Sequence, residues 1–338
     1  MSQAVRRNGT TSSPQTKASP EREASRARSR PSPYMLLVYP IILTLGVLFS
    51  VLSPSASPST YSAPFTPGVA SDINTPQTPQ TLNYFAGKGN FLNLYFVKIG
   101  WFWTTLAFGL LQLTTTNDPK QQPPSSRTGS KNNNFLQALL RYSLITLTWI
   151  FTTQWFFGPA LIDRSFTSTG GRCVPRHHGK VDSLAEGIEL SSVATHLSCK
   201  AFGGKWLGGH DISGHFFMLV LSSAFLFLEF FISETQTQAA HPHISPEAAA
   251  RIATETTEEE KRAVGGWESE AVVKARLWTQ YFVWAVIVLD AWMLLMTAIW
   301  FHTLFEKVSG LALASLCVWG VYFLPRLSPE WRKLVGGV

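Results

Sequence analysis

The sequence predicts an all-α polytopic membrane protein: six transmembrane helices behind a disordered N-terminal tail. Three observations carry that expectation. Only 14% of the 338 residues are charged against 45% hydrophobic, whereas soluble chains carry about 25% charged residues. The apolar residues gather in blocks of roughly 17 to 26, the length a helix needs to cross a hydrocarbon core about 30 Å thick. Polar stretches rich in Ser, Pro and Asn separate the blocks. Collagen, coiled-coil and wholly disordered chains are excluded by this composition, and a water-soluble enzyme runs against it.

Residues 1–33 are rich in Ser, Pro and Arg with almost no large apolar side chains, so no core forms there and a disordered tail is expected. The first apolar block, about 34–52, follows a basic flank. It is longer than a signal-peptide core and lacks a convincing cleavage site, so it reads as a retained span. Further spans are expected at about 91–113, 137–162, 212–232, 278–301 and 308–324, ending in a short tail over 325–338. Six spans place both termini on one side. Segments that share that side hold 18 of the 28 Lys and Arg residues, and the opposite segments hold 8. The positive-inside rule therefore puts the termini in the cytosol. The net charge of +7 is read as this juxtamembrane bias, and no nucleic-acid partner is expected.

Three cysteines cannot form a disulfide framework. Cys173 and Cys199 share one loop, where they pair if the loop faces an oxidising lumen and stay ordinary thiols if it does not. No His/Cys/Asp grouping has structural-zinc spacing, so neither metal nor other cofactor is expected. His177-His178 and His241-x-His243 sit in polar loops and read as loop residues.

The chemistry is expected where two histidines reach one membrane face. His215 opens the fourth span and His302 closes the fifth, so this topology brings both to the same depth. Asp211 or Ser213 can cap the fourth helix, whose first-turn N–H groups suit phosphate oxygens. Gly214 lets a ligand approach the backbone. Glu306 lies four residues after His302, on the same face if the helix continues, where a carboxylate would orient the imidazole as nucleophile or base. The bland alternatives are interfacial histidines and a Glu306–Lys307 surface pair. Asp290, deep in the fifth span, is expected to be neutral or paired with Lys98, and Glu229 is expected to extend toward the interface.

Two runs carry a resemblance. Cys199-Lys200-x-x-Gly203-Gly204-x-Trp206-x-Gly208-x-x-Asp211-Ile212-Ser213-Gly214-His215 and Phe301-His302-Thr303-x-x-Glu306-Lys307-x-x-Gly310 look like the two signatures of the fat-storage-inducing transmembrane (FIT) family. The span order and Ser/Pro-rich N-terminus resemble its fungal branch. The family is similar in turn to lipid phosphate phosphatases: Ser213-Gly214-His215 matches the end of their P-S-G-H motif, with Ile212 for Pro, and His302-x-x-x-Glu306 echoes H-x-x-x-D. Their Lys/Arg signature has no recognisable counterpart; Lys205, Lys200 and Arg164 are the stand-ins, with Lys205 carried as a substrate-binding candidate.

The resemblance implies an endoplasmic reticulum hydrolase that cleaves fatty acyl-CoA to acyl 4′-phosphopantetheine and adenosine 3′,5′-bisphosphate. His215, His302 and Glu306 would be catalytic at the lumenal face; Asp211, Ser213, Gly214 and Lys205 would bind substrate; acyl-CoA and membrane lipids would be the partners. The alternatives are a non-catalytic protein that partitions neutral lipid into droplets, in which the histidines merely pack, and a lipid phosphate monoesterase.

Overall fold

One helix, Gly214–Ala240, forms the axis of the molecule because apolar side chains surround it from Phe216 to Leu228. Phe216, Phe217, Leu219, Val220, Leu221, Ala224, Phe225, Leu226 and Leu228 are all fully buried, and a helix without a polar face is stable only when surrounded. A computed structural model describes residues 31–53, 83–87, 89–116, 128–154, 159–175, 195–201, 204–240 and 270–336. Nearly all of the expected disordered tail lies outside these residues, as do Trp155, Phe156, Phe157 and the loop histidines at 177, 178, 241 and 243.

In chain order the helices are α1 (Val38–Leu52), α2 (Gly100–Thr116), α3 (Thr128–Thr153), α4 (Leu161–Ser168), α5 (His196–Ala201), α6 (Gly214–Ala240), α7 (Glu270–Trp300), α8 (Leu304–Val318) and α9 (Pro329–Val335). Strands β1 (Arg172–Pro175) and β2 (Gly204–Leu207) pair antiparallel, with Cys173 opposite Trp206. The central α6 packs against α7, α8, α2 and α3, and α7 also packs against α1 and α2. Among the described residues, five stretches are long and apolar enough to cross a membrane: Pro33–Leu52, Asn133–Thr153, Gly214–Gln236, Ala271–Trp300 and Leu304–Arg326. The chain is a polytopic helical membrane protein.

The stretch expected to span from Phe91 to Leu113 is not one α-helix. A π-helical segment over Asn93–Val97 precedes α2, and only the 17 residues of α2 are regular α-helix, about 25 Å at 1.5 Å per residue. It still belongs to the core. Trp101 stacks on Trp149 at 5.0 Å, Phe108 stacks on Tyr142 at 4.9 Å, and Gly100 leaves room for the Met218 side chain, which would stand 2.8 Å from an added Cβ.

Contacts between helices show which ends lie together. Arg326 donates to the Pro31 carbonyl, and Arg141, midway along α3, donates to the Val335 carbonyl, so the Pro31 and Val335 ends of the described residues lie on one side of the bundle. The Arg141 guanidinium also makes two bonds to Glu229, at 2.5 and 2.9 Å, and Tyr322 donates to the same carboxylate at 2.7 Å. Glu229 thus does not extend to the interface: its side chain is 1% exposed and paired. Of the two expectations for Asp290, pairing with Lys98 gives way. Asp290 is buried and accepts a 2.8 Å bond from Ser222, whose hydroxyl meets Thr104, while Lys98 is exposed. A cavity of about 610 Å³ opens beside Arg141 and Glu229, walled by Phe108, Phe135, Leu139 and Ile232. Glu229 is 14 residues after His215 on α6, about 21 Å along the axis, so this cavity is remote from the histidines.

Candidate functional site

At the other end, α6 begins, α7 stops and α8 starts, and these three termini place the expected residues. Ser213 is fully buried. Its hydroxyl accepts from the Phe216 N–H at 3.3 Å and its carbonyl from the Phe217 N–H at 2.9 Å, so Ser213 is the N-cap of α6. Gly214 and His215 form the first turn. The Ser213 N–H donates to the Glu306 carbonyl at 3.1 Å, which ties the start of α6 to the first turn of α8. Gly310 makes that approach possible: a Cβ there would stand 2.7 Å from the Ser213 carbonyl oxygen and 3.2 Å from the Phe216 Cβ.

His302 sits in the turn between α7 and α8. Its φ is +60°, the single positive value outside glycine among the described residues. Such a conformation costs about 1–3 kcal/mol and persists only where the surroundings impose it. The helix does not continue from His302 to Glu306, as the expected i,i+4 pairing assumed. A new helix begins instead, with Thr303 as N-cap and Glu306 at its third position. The Glu306 carboxylate accepts from the Thr303 N–H at 2.8 Å and Thr303 Oγ1 accepts from the Glu306 N–H at 3.4 Å, completing a capping box. The same carboxylate oxygen lies 3.3 Å from His302 Nδ1. With Glu306 ionised, Nδ1–H is the donor and Nε2 carries the free lone pair.

The His215 and His302 rings face each other with centroids 6.3 Å apart and planes at 46°. Side chains of His302 and Glu306 are 24% and 19% exposed, so solvent reaches the pair. Asp211 lies within electrostatic range of His302 and Glu306. Burial raises its carboxyl above the ordinary range and the Glu306 and Asp163 charges add to this, while His302 and His196 oppose it. Lys205 falls on β2, paired with Val174, but its side chain lies outside the described residues. The alternative Glu306–Lys307 pair is not what holds Lys307: its ammonium turns away and donates to the Ala298 carbonyl at 2.6 Å.

Three neighbours carried no signal in the sequence reading. His210 Nε2 lies 3.1 Å from Ser309 Oγ, and the Ser309 hydroxyl donates to the Glu306 carbonyl. The Asp163 carboxylate accepts from the His196 N–H at 3.3 Å, and burial raises the Asp163 carboxyl as well. His210 falls at an unspecified position of the quoted run, next to Asp211, whereas Asp163 and His196 are 33 residues apart and only the fold joins them. The loop that carries them is stapled by a Cys173–Cys199 disulfide, which resolves the two options left by the sequence. Among the described residues, no three His, Cys, Asp or Glu gather as metal ligands would.

Residues 81–322 match the model of the fat storage-inducing transmembrane protein family, well over half of the chain. This chain belongs to the FIT family. Relatives of this FIT chain include acyl-coenzyme A diphosphatase fit1 of Schizosaccharomyces pombe, 30% identical over 75% of this chain and 78% of the relative. Acyl-coenzyme A diphosphatase SCS3 of Saccharomyces cerevisiae is 23% identical over 70% of this chain and 87% of its own length. Mouse acyl-coenzyme A diphosphatase FITM2 is 29% identical over 75% and 79%. Fungal relatives thus stand among the matches, in keeping with the fungal branch. No solved structure matches this FIT chain.

Proposed function

We propose that this protein is a fatty acyl-CoA diphosphatase of the endoplasmic reticulum membrane, with cytosolic termini and its histidines at the lumenal face. One observation carries the reading: two imidazoles from separate helices face each other at 6.3 Å, one of them held through Nδ1 by a carboxylate. An oriented imidazole with a free Nε2 is a nucleophile, and a second imidazole on the other side of a phosphorus is the acid that a leaving oxygen needs. The relatives that bear the acyl-coenzyme A diphosphatase name support the substrate. A membrane-borne site suits a substrate whose acyl chain stays in the bilayer while its diphosphate reaches the interface.

In this mechanism His302 Nε2 attacks the pantetheine-side phosphorus. The bond from that phosphorus to the bridging oxygen breaks, and His215 protonates the departing oxygen, releasing adenosine 3′,5′-bisphosphate. Water then attacks the phosphohistidine, giving its proton to His215. The P–N bond breaks and acyl 4′-phosphopantetheine leaves. Net consumption is one water. Glu306 holds the His302 tautomer throughout. N–H groups of Gly214 and His215 in the first turn of α6 donate to the phosphoryl oxygens as negative charge develops on them. Asp211, whose carboxyl burial raises above its ordinary range, lies within electrostatic range of His302 and lines the substrate side of the site. Lys205 serves as the cation beside the diphosphate. The disulfide supports the lumenal placement, because cytosolic thiols are kept reduced.

The test is hydrolysis of oleoyl-CoA by detergent-purified protein beside folded His215→Ala and His302→Ala. Release of adenosine 3′,5′-bisphosphate by the wild type, lowered at least about a thousandfold in the His302 variant, is expected. Equal turnover in all three proteins removes the mechanism. Turnover in none turns the reading toward a lipid-partitioning protein.

A further inference from the structure

We infer that Lys307 is a positioning residue that sets the His302 imidazole, a role resting on the reading of His302 as nucleophile. Lys307 is only 5% exposed, and its ammonium donates to the Ala298 carbonyl at 2.6 Å. That carbonyl belongs to the residue four before His302. In an α-helix the N–H of residue 302 would bond to it; here the ladder ends one step earlier, with the Phe301 N–H on the Thr297 carbonyl. At His302 the chain swings to a φ of +60° and leaves the helix, and the Lys307 ammonium takes the carbonyl in place of the backbone donor.

The geometry makes a short closed frame. Lys307 grips the end of α7 from the first turn of α8, its own N–H bonds to the Thr303 carbonyl at 3.2 Å, and the adjacent Glu306 reaches back to the Thr303 N–H and the His302 ring. The two neighbours therefore hold opposite sides of one turn: Glu306 fixes the ring and Lys307 fixes the backbone from which it projects. Ala298 cannot yield on its far side, because α1 presses Gly46 against it so closely that an added Cβ would stand 2.4 Å from the Ala298 Cβ. A point cation at this spot also closes the end of the α7 dipole. Without the ammonium, a carbonyl of α7 is left bare and the left-handed turn is free to relax into another helical turn, which would carry the His302 ring away from His215.

The experiment compares Lys307→Met, Lys307→Gln and Lys307→Arg with wild-type protein in detergent, reading kcat and KM on oleoyl-CoA, the phosphohistidine burst in acid-free quench, and the thermal midpoint. Lys307→Met is expected to lower kcat about 10- to 100-fold at a KM within about twofold, since misplacing a reacting group by about an ångström costs that much, with a smaller burst. Lys307→Arg keeps a charged donor and is expected to recover most of kcat. Folded Lys307→Met with wild-type kcat and burst overturns the inference, as does an arginine variant as impaired as the methionine one. Should Lys307→Met fail to fold, the one-atom-shorter donor of Lys307→Gln decides: reduced kcat supports the role, and wild-type kcat in both Gln and Arg variants overturns it. A His302→Ala protein as active as wild type would defeat the reading of the site itself, separately from any Lys307 result.

Discussion

The two ends of the bundle use charge in opposite ways. At one end Arg141 and Glu229 are 4% and 1% exposed, every carboxylate oxygen has a partner, and Tyr322 and the Val335 carbonyl complete the network. At the other end His302 and Glu306 meet at 3.3 Å with side chains about a fifth to a quarter exposed, on a turn whose backbone is strained. A buried, fully bonded pair is costly to open and holds still. A loosely bonded, solvent-reached pair can exchange protons and admit a phosphate. Both are a cation-capable side chain beside a glutamate, yet one is buried and fully bonded and the other partly exposed and loosely bonded.

The largest expected effect breaks the rigid end. Arg141→Met leaves the Glu229 carboxylate buried and unpaired, and should cost about 3–5 kcal/mol of stability. Arg141→Met combined with Glu229→Leu should recover much of it. Denaturation in detergent measures both, and oleoyl-CoA turnover per folded molecule should stay near wild type because the network lies some 20 Å from His215. A selective loss of kcat without destabilisation would mean that the two ends are coupled and would undo the contrast.

A smaller effect is expected from Gly310→Ala, whose methyl group must displace the Ser213 carbonyl or the Phe216 side chain. The shift separates α8 from α6, hence His302 from His215, and kcat should fall roughly tenfold. Unchanged kinetics would show that the ring separation is not tightly set.

The smallest is a change in pH dependence. The Asp211 carboxyl titrates above its ordinary range when folded, so the native protein keeps a proton that the unfolded chain has already released. Between those two midpoints wild-type stability falls as pH rises. Asp211→Asn removes that fall, and thermal midpoints of the two proteins measured from acid to neutral pH should diverge in the variant's favour. Parallel profiles would place Asp211 in open water.

Much of this was legible in the residues. Dense hydrophobicity over the expected span 212–232 announces a helix that must be enclosed, and the Ser213-Gly214-His215 sequence announces its start. Thr303-x-x-Glu306 is itself a capping-box pattern, so the start of α8 was readable too. His302 and Glu306 at i,i+4 fit one continuous helix equally well. Periodicity alone cannot choose between a helix that runs on and one that stops and restarts. The expectation for Glu229 fails for a related reason: 88 residues separate it from Arg141, and a lone intramembrane charge gives no sign of its partner. Residues 91–113 are apolar throughout as a span should be, yet the π-helical segment over Asn93–Val97 follows from local bonding that composition does not record.

What the sequence determined by itself is the solvent and the local grammar: helices sized for a bilayer, termini marked by Ser, Thr, Gly and Glu, and two histidines delivered to one depth. These follow from short-range physics, in which each residue answers to its own side chain and to those within a turn. Only the tertiary structure decided which charges are spent on holding the bundle, that Cys173 and Cys199 bond, and that Lys307 takes the carbonyl His302 gives up. Those outcomes depend on atoms brought together across tens to hundreds of residues, where distance, burial and direction are set by the packing of whole helices.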